Sequence, residues 1–540
     1  MPLDRMGLEA ASPNLAPGWS LRTLVAPTAV IGANGMRMGP DGELYVAQAF
    51  GSQISAVDLG TGVSRVVSGA DGEVVAPDDL AFDSRGNLFV TEVMSARVSA
   101  IRPDGAVNVI AADVPVANGI TVHADRIFLS EFNPEGRLWE LDANGAPPRL
   151  IASGLMMPNA LCLGPDNMLY FPLVPLGEVW RVALENGQPE RVIGGLDIPT
   201  AVKFDAQGRL FVVESGSGLI SLIDPLRQIK TPYAQVAYGI DNFAFGPDGQ
   251  MYVSHFTDGE IVAVGPDGSQ RVVVAGGMTG PFGMAADGTG GLVVADGMSL
   301  GNVDSEGTVR RPSMLLQHGF PGYVRGVALA PDGSSIVTNS AGQCARYRAG
   351  EIADVLVDGL ECAMGVVVSR SGEILVCDRG DSSGRGRIIA IGTDGAARTI
   401  ASGLDRPIGL AEAPDGALFV SETGSGTVRH VSHLGSTQII SGLQDPHGVT
   451  IVGGQPVVLD RGSGVLYRAG AEAGGEVLAS GLPAGTRGAM TPNVLPGIKG
   501  LMPGPLLPFA DIATLADGSI ALGGDSDGSI LLLSPAGGAN

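Results

Sequence analysis

One phrase recurs along this chain at a spacing of about forty residues, and a repeat of that length restricts the fold more than any local pattern does. Its fullest copy is Tyr238–Ile261, YGIDNFAFGPDGQMYVSHFTDGEI. A polar pair, Asp241-Asn242, leads into the alternation of Phe243 and Phe245; a Pro-Asp-Gly turn follows, then the alternation of Met251 and Val253 ending in His255, then a third run opening at Gly259. Alternation at period two reads as strand, and Pro-Asp-Gly reads as a tight reversal because Pro presets φ and Gly accepts φ > 0. In the first half of the chain the turns fall at Gly39–Gly42, Asp83–Gly86, His123–Asp125, Gly164–Asn167, Asp205–Gly208 and Gly246–Gly249. In the second half they fall at Asp287–Gly288, Ala330–Gly333, Arg370–Gly372, Ala413–Gly416, Val452–Gly454 and Ala516–Gly518. Between copies lies a fourth strand-like run with a Gly stop, as in Arg149–Gly154, Arg271–Gly276 and Arg398–Gly403. Four strands per period of this length indicate a β-propeller blade.

Twelve copies divide most evenly into two rings of six, so the expected fold is all-β, two tandem six-bladed β-propellers. The segment Trp19–Ala26 reads as the outer strand of a blade without the three that precede it. It is expected to close the first ring, since a propeller hides its last sheet edges by recruiting a terminal strand. Arg271–Gly276 is assigned the same role for the second ring. The expected domains are an N-terminal arm over 1–18, loosely packed or disordered, a first propeller over 19–276 and a second over 277–540. Pro483–Leu507 is a Pro- and Gly-rich insertion in the second, where regular structure is not expected.

The net charge of −23 speaks against nucleic acid and anionic membranes as partners, since both would be repelled at long range. The N-terminal stretch has no apolar signal core and no run approaches the length of a membrane span, so a cytoplasmic location is expected. Cys162, Cys344, Cys362 and Cys377 lack metal-type spacing and read as buried reduced thiols.

The residue that opens each inner strand faces the mouth of a propeller's channel. In the first ring this position reads Asn34, Asp78, Asn118, Asn159, Thr200 and Asp241; in the second it reads Phe282, Arg325, Met364, Ile408, His447 and Ala510. One mouth is rich in oxygen, and the other is mostly apolar with no carboxylate. Oxygens converging from different blades suit a hard cation, Ca²⁺ or another divalent ion such as Mg²⁺, and the absence of His from the set speaks against Zn²⁺ or Cu²⁺. The candidate metal ligands are therefore Asn34, Asp78, Asn118, Asn159, Asp241 and its neighbour Asn242. The competing reading is that Asn and Asp only cap local backbone groups at strand starts.

The phrases Val116-Ala-Asn118-Gly-Ile120, Met157-Pro-Asn159-Ala-Leu161 and Gly239-Ile-Asp241-Asn242-Phe243 resemble the SMP-30/gluconolactonase group of calcium-dependent propellers. The resemblance covers the first half; the second half is similar only to NHL-type propellers in general. It implies a divalent cation at the channel mouth, with Asn118 and Asn159 as amide ligands and Asp241 as the acidic one. The group brings a Glu from its first blade, where this chain has Asn34, and Asp78 could supply that charge.

The ends of the second strands return to the same face, with Gln48, Glu92, Glu131, Glu214 and His255 in the first ring. Glu92 and Glu131 are candidate general bases, and His255, on the same blade as Asp241, is a candidate for proton transfer. Their alternative role is to tie blades together, because Asp296, Asp378, Glu422 and Asp460 occupy the same place in the second ring. Three functions follow. The first is metal-dependent hydrolysis of a lactone or related ester, a small-molecule substrate, with Asp241, His255 or a Glu activating water. The second is proton abstraction by a lyase or isomerase, since virginiamycin B lyase-like propellers have phrases similar to Gly86-Asn-Leu-Phe-Val-Thr-Glu92. The third is a binding scaffold with no catalysis.

Overall fold

The computed structural model describes residues 3–143, 146–185, 187–432, 435–470, 474–486 and 490–536. Each repeat folds as the phrase dictates. The Pro-Asp-Gly turns reverse the chain with Gly42 at φ 85°, while the Asp41 carboxylate accepts the Glu43 N–H at 3.2 Å.

The first ring is six four-stranded antiparallel sheets, each built from consecutive strands. They run from Met36–Met38 to Ser64–Ser68, Pro77–Phe82 to Val107–Ala112, Ala117–His123 to Arg149–Leu155, Cys162–Leu163 to Glu190–Gly194, Pro199–Phe204 to Ile229–Gln235, and Ile240–Phe245 to Gln270–Val274. The inner strand of the sixth blade lies beside that of the first, closing the circle. Apolar packing makes that closure: Tyr252, Ile261 and Val273 of the sixth blade are buried against Met36, Leu44 and Val46 of the first.

The second ring has five blades of consecutive strands, starting at Met284–Ala286, Val324–Leu329, Ala363–Val368, Pro407–Glu412 and Pro446–Val452. Its sixth blade has only Ile512–Thr514, Ile520–Gly524 and Ser529–Pro535 from its own stretch of chain, and its fourth strand is Trp19–Val25, paired from Trp19 opposite Pro535 to Val25 opposite Ile530. The expected roles of the two outer strands are thus corrected. Gln270–Val274 completes its own sixth blade, pairing with Ile261–Val264. The strand with no predecessors goes to the one blade that lacks an outer strand.

The compact bodies follow these pairings. One comprises Ala29–Gly276 with Thr491–Ile498; the other comprises Met1–Thr28, Gly277–Met490 and Lys499–Asn540. Residues 19–28 belong with the body that resumes at Gly277. The arm is ordered: Asn14–Leu15 adds a fifth strand to the blade ending in Glu476–Ser480, and buried Arg5 donates to the carbonyls of Ser526, Asp525 and Met278. The insertion carries two short strands, Leu495–Ile498 and Met502–Leu506, where none was expected. All four cysteines are free and buried. Among the described residues no helix is long and apolar enough to cross a membrane.

Candidate functional site

A β-bulge sits at the head of the inner strands. In the second blade Pro77 lies opposite Glu92 and Leu80 opposite Val90, so Asp78 and Asp79 face a single partner residue; the sixth blade repeats this between Ile240/His255 and Phe243/Val253, with Asp241 and Asn242 in the gap. Bulges re-aim side chains, and here two successive residues leave the ladder in different directions. The second of each pair turns into the framework. Asp79 accepts the N–H groups of Leu80 at 2.9 Å and Ile120 at 3.1 Å, and the amide oxygen of Asn242 accepts the Phe243 N–H at 2.8 Å.

The first of each pair forms the mouth, and its members differ in how far their oxygens are already used. The Asn34 amide oxygen accepts the Ala49 N–H at 3.1 Å, that of Asn159 accepts the Ala160 N–H at 2.7 Å, and the Thr200 hydroxyl donates to the Ile240 carbonyl at 3.2 Å. Asn118 is different: it is buried, and its amide oxygen has no hydrogen-bond partner. The carboxyl of Asp78 is raised well above the usual carboxylate range by burial and then by Asp241 and Asp79. That of Asp241 is pushed up to about 7 by burial and then by Asp79, against the opposing effects of Lys203 and a hydrogen bond from Asn34.

Asp78, Asn118 and Asp241 thus share the strand-head register as hard oxygens for which no main-chain N–H partner is found among the described residues, with Asp78 in the field of Asp241 and Asp241 hydrogen-bonded by Asn34. Buried like charges and an orphaned buried amide oxygen are each unfavourable alone, and a divalent cation among them would relieve both. These residues fit such an ion. Among the described residues no group of three or more His, Cys, Asp and Glu gathers as a metal cage, so the set is one of mixed amide and carboxylate. Asn242, expected as a ligand, points into the framework instead, and Asn159 and Asn34 stand at the mouth with one oxygen lone pair already taken.

The side chains at the second-strand ends are engaged within the framework. Glu92 accepts the Val75 N–H at 2.7 Å and Arg97 Nε at 2.8 Å, and its other oxygen accepts from Ser99. Glu131 is held by Arg137 at 2.6 and 2.8 Å and by Trp139 Nε1 at 2.9 Å. His255 is fully buried, with Nε2 3.1 Å from the Ala237 carbonyl and Nδ1 3.4 Å from the Glu260 carbonyl. Gln48 and Glu214 likewise accept the N–H groups of Ile31 and Asp197, and in the second ring Asp296, Asp378, Glu422 and Asp460 accept those of Gly280, Cys362, Asp405 and Asp445. A residue type that does the same work in both rings is a latch between the second strand and the loop that enters the first. Glu92 and His255, which reach Val75 and Ala237 in those loops, are such latches, while Glu131 is tied to Arg137 and Trp139 of the third strand.

Two further features escaped the sequence reading. A hydroxyl stands just before several latches and joins neighbouring blades. Thr91 accepts the Asp79 N–H and donates to the Asn118 carbonyl; Ser130 links Gly119 to Asn159, Ser254 links Asn242 to Asn34, and Thr338 and Ser421 repeat the device in the second ring. Its signal was the Ser or Thr in Val-Thr-Glu92, Leu-Ser-Glu131 and Val-Ser-His255. Deeper in the first ring's channel are two cations. Arg37 donates to the carbonyls of Leu80 at 3.2 Å and Ile120 at 3.1 Å, and Lys203 Nζ, 5% exposed, donates to those of Met36 and Phe243. Burial, with Arg37 as the next cause, lowers the Lys203 ammonium to about 7. A lysine inside an inner strand, in a chain with only three, was the available signal.

No family model matches the chain. A stretch of 138 residues is 30% identical to Gluconolactonase of Zymomonas mobilis, covering 22% of this chain and 39% of that protein. The match thus spans about two fifths of the relative's length. Solved structures similar to this one include virginiamycin B lyase from Staphylococcus aureus, at 17% identity and TM-score 0.38 over 52% of this chain and 96% of that one. Another is regucalcin, described as a calcium-binding protein, from Agrobacterium tumefaciens, at 18% identity and TM-score 0.36 over 45% and 86%.

Proposed function

We propose that the first ring is a hydrolase of a lactone or related ester that works with a divalent cation, Ca²⁺ or Mg²⁺, at the channel mouth. The observation that carries this reading is the buried, partnerless amide oxygen of Asn118 in the same strand-head register as the buried carboxyls of Asp78 and Asp241, Asp241 raising Asp78. Among the described residues the strand-head register of the second ring, Phe282, Arg325, Met364, Ile408, His447 and Ala510, holds no carboxylate. The partial likeness to a gluconolactonase supports the choice of a cyclic ester as substrate class.

Asp78, Asn118 and Asp241 would hold the cation. When bound, it supplies Lewis-acid polarisation of an ester carbonyl and offsets the charge that develops on its oxygen. The protein's own groups do the rest. Asn34 hydrogen-bonds to Asp241 and fixes the direction of that carboxylate. With Glu92, Glu131 and His255 bound into the framework, Asp241 is the group at the mouth placed to accept a proton from an attacking water. Elimination by a His/Glu pair loses support for the same reason, since that pair is occupied inside the blades.

The test is calorimetric titration of the full chain with Ca²⁺ and Mg²⁺, together with hydrolysis of a panel of five- and six-membered lactones, for the wild type and for Asn118→Ala and Asp241→Asn. Stoichiometric binding that weakens at least tenfold in both variants, together with lactone turnover that falls in parallel, is the expected result. Absence of binding by either ion to the wild type would remove the hydrolase reading and leave a binding scaffold.

A further inference from the structure

We propose that the mouth of the second ring binds a small oxyanion, a carboxylate or phosphate carried on an apolar molecule, through Arg325. Arg325 heads the inner strand Val324–Leu329 at the bulge between Val324/Asn339 and Val327/Val337, the register that Asp78 and Asp241 occupy in the other ring. Its side chain is buried to 2% exposure. Two part-buried arginines of this body pair with acids, Arg311 with Asp296 at 3.2 Å and Arg461 with Asp525 at 2.7 Å, whereas buried Arg5 donates to main-chain carbonyls and to Thr28. Arg325 meets no acid among the described residues.

Its Nη1 faces the Cys362 sulfur at 3.5 Å, the Ala363 carbonyl at 3.5 Å and the Met364 sulfur at 3.8 Å; its Nη2 donates to the Pro505 carbonyl; its Nε has no acceptor. Nε and Nη2 form the edge on which a guanidinium takes a carboxylate or phosphate side-on. Here one corner of that edge holds a neutral carbonyl and the other holds nothing, so the Pro505 carbonyl fills half of an oxyanion's place.

The surroundings reinforce the charge. Arg379, also without an acid partner, has its protonation disfavoured by burial and by the fields of Arg406 and Arg325. The acid facing this group, Asp445, is committed: His447 Nε2 lies 3.3 Å from it and Arg461 Nη1 also 3.3 Å. The His447 ring is engaged on both sides, its Nδ1 accepting the Ala510 N–H at 3.1 Å and its Nε2 facing Asp445. A buried guanidinium with no acid of its own, in a chain of net charge −23, is a group that an anion would answer. The rings of Phe282 and Tyr323, 6.0 Å apart, and the Met364 side chain supply an apolar wall for the body of the ligand.

The experiment titrates the full chain with sodium benzoate and, separately, with inorganic phosphate, each at ionic strength matched with sodium chloride, reading binding by calorimetry and the thermal midpoint. The wild type is expected to bind at least one of the two and to gain in midpoint. Arg325→Met should weaken binding at least tenfold, and Arg325→Lys, which keeps the charge but lacks the fork, should weaken it less. Should Arg325→Met fail to fold, Arg379→Met, at a half-buried position, is expected to weaken binding several-fold. Benzoate binding without phosphate identifies a carboxylate ligand, and the reverse a phosphate; either supports the site. No response of the wild type to either anion, or a response unchanged in Arg325→Met and Arg379→Met, would overturn the proposal.

Discussion

Lys203→Met offers a direct measure of what the channel cations do. The ammonium is buried against two carbonyls, and its pKa falls from 10.5 to about 7 on folding. A lysine whose folded pKa lies below its unfolded value makes the folded state less stable wherever the unfolded chain holds the extra proton. The penalty is complete below pH 7 and is relieved as pH rises from 7 towards 10.5, the unfolded state releasing its proton last. Integrated between pH 7 and pH 9, those two values give the wild type about 2 kcal/mol of added stability that the methionine variant does not gain. At any one pH the variant also leaves the Met36 and Phe243 carbonyls without their donor, so the change of the difference with pH is the informative quantity, not its absolute size. Tryptophan fluorescence can isolate the first ring. Of the three tryptophans, Trp139 and Trp180 lie in it and Trp19 in the other, so a Trp19→Phe background reports first-ring unfolding alone. Urea unfolding at pH 7, 8 and 9 should show the wild-type midpoint rising relative to Lys203→Met. Parallel midpoints across that range would refute a buried charged ammonium in this channel.

Two further outcomes follow from the framework. Removing residues 1–25 takes the fourth strand from the last blade of the second ring, so the thermal transition of that ring should fall sharply or vanish while fluorescence unfolding reported by Trp139 and Trp180 stays within about 1 kcal/mol of the full chain. Thr91→Val keeps the shape of a fully buried side chain but strands the Asp79 N–H and the Asn118 carbonyl; it should cost about 2–4 kcal/mol in the same fluorescence assay, and a cost below about 0.5 kcal/mol would show that the hydroxyl does not join the blades.

The blade itself was legible because its causes are local. Asp41 and Gly42 make a turn wherever they stand, and Met251 and Val253 must share a face because a strand has period two. The polarity of the first mouth was legible too, since the register of Asp78, Asn118 and Asp241 follows from counting back from each turn. Their division of labour was not. Asp78 and Asp79 are adjacent and chemically identical, yet one stands at the mouth and the other accepts an N–H from the next blade; the bulge decides this, and it exists only once the second strand is paired. Glu92 and Glu131 looked like bases because a carboxylate beside a polar mouth has the right chemistry, and only the positions of Arg97, Ser99, Arg137 and Trp139 show that their oxygens are already taken.

Sequence alone determined the number of blades, the strand order within each and the contrast between an oxygen-rich mouth and a mostly apolar one. Tertiary structure decided which blade received Trp19–Val25, which acids were latches, and that Lys203 and Arg37 span the first channel. The reason is physical: a turn or an alternating strand is fixed by neighbours a few residues away, whereas an unpaired sheet edge, a buried charge or an unanswered oxygen is defined by what the folded chain brings to it from hundreds of residues along.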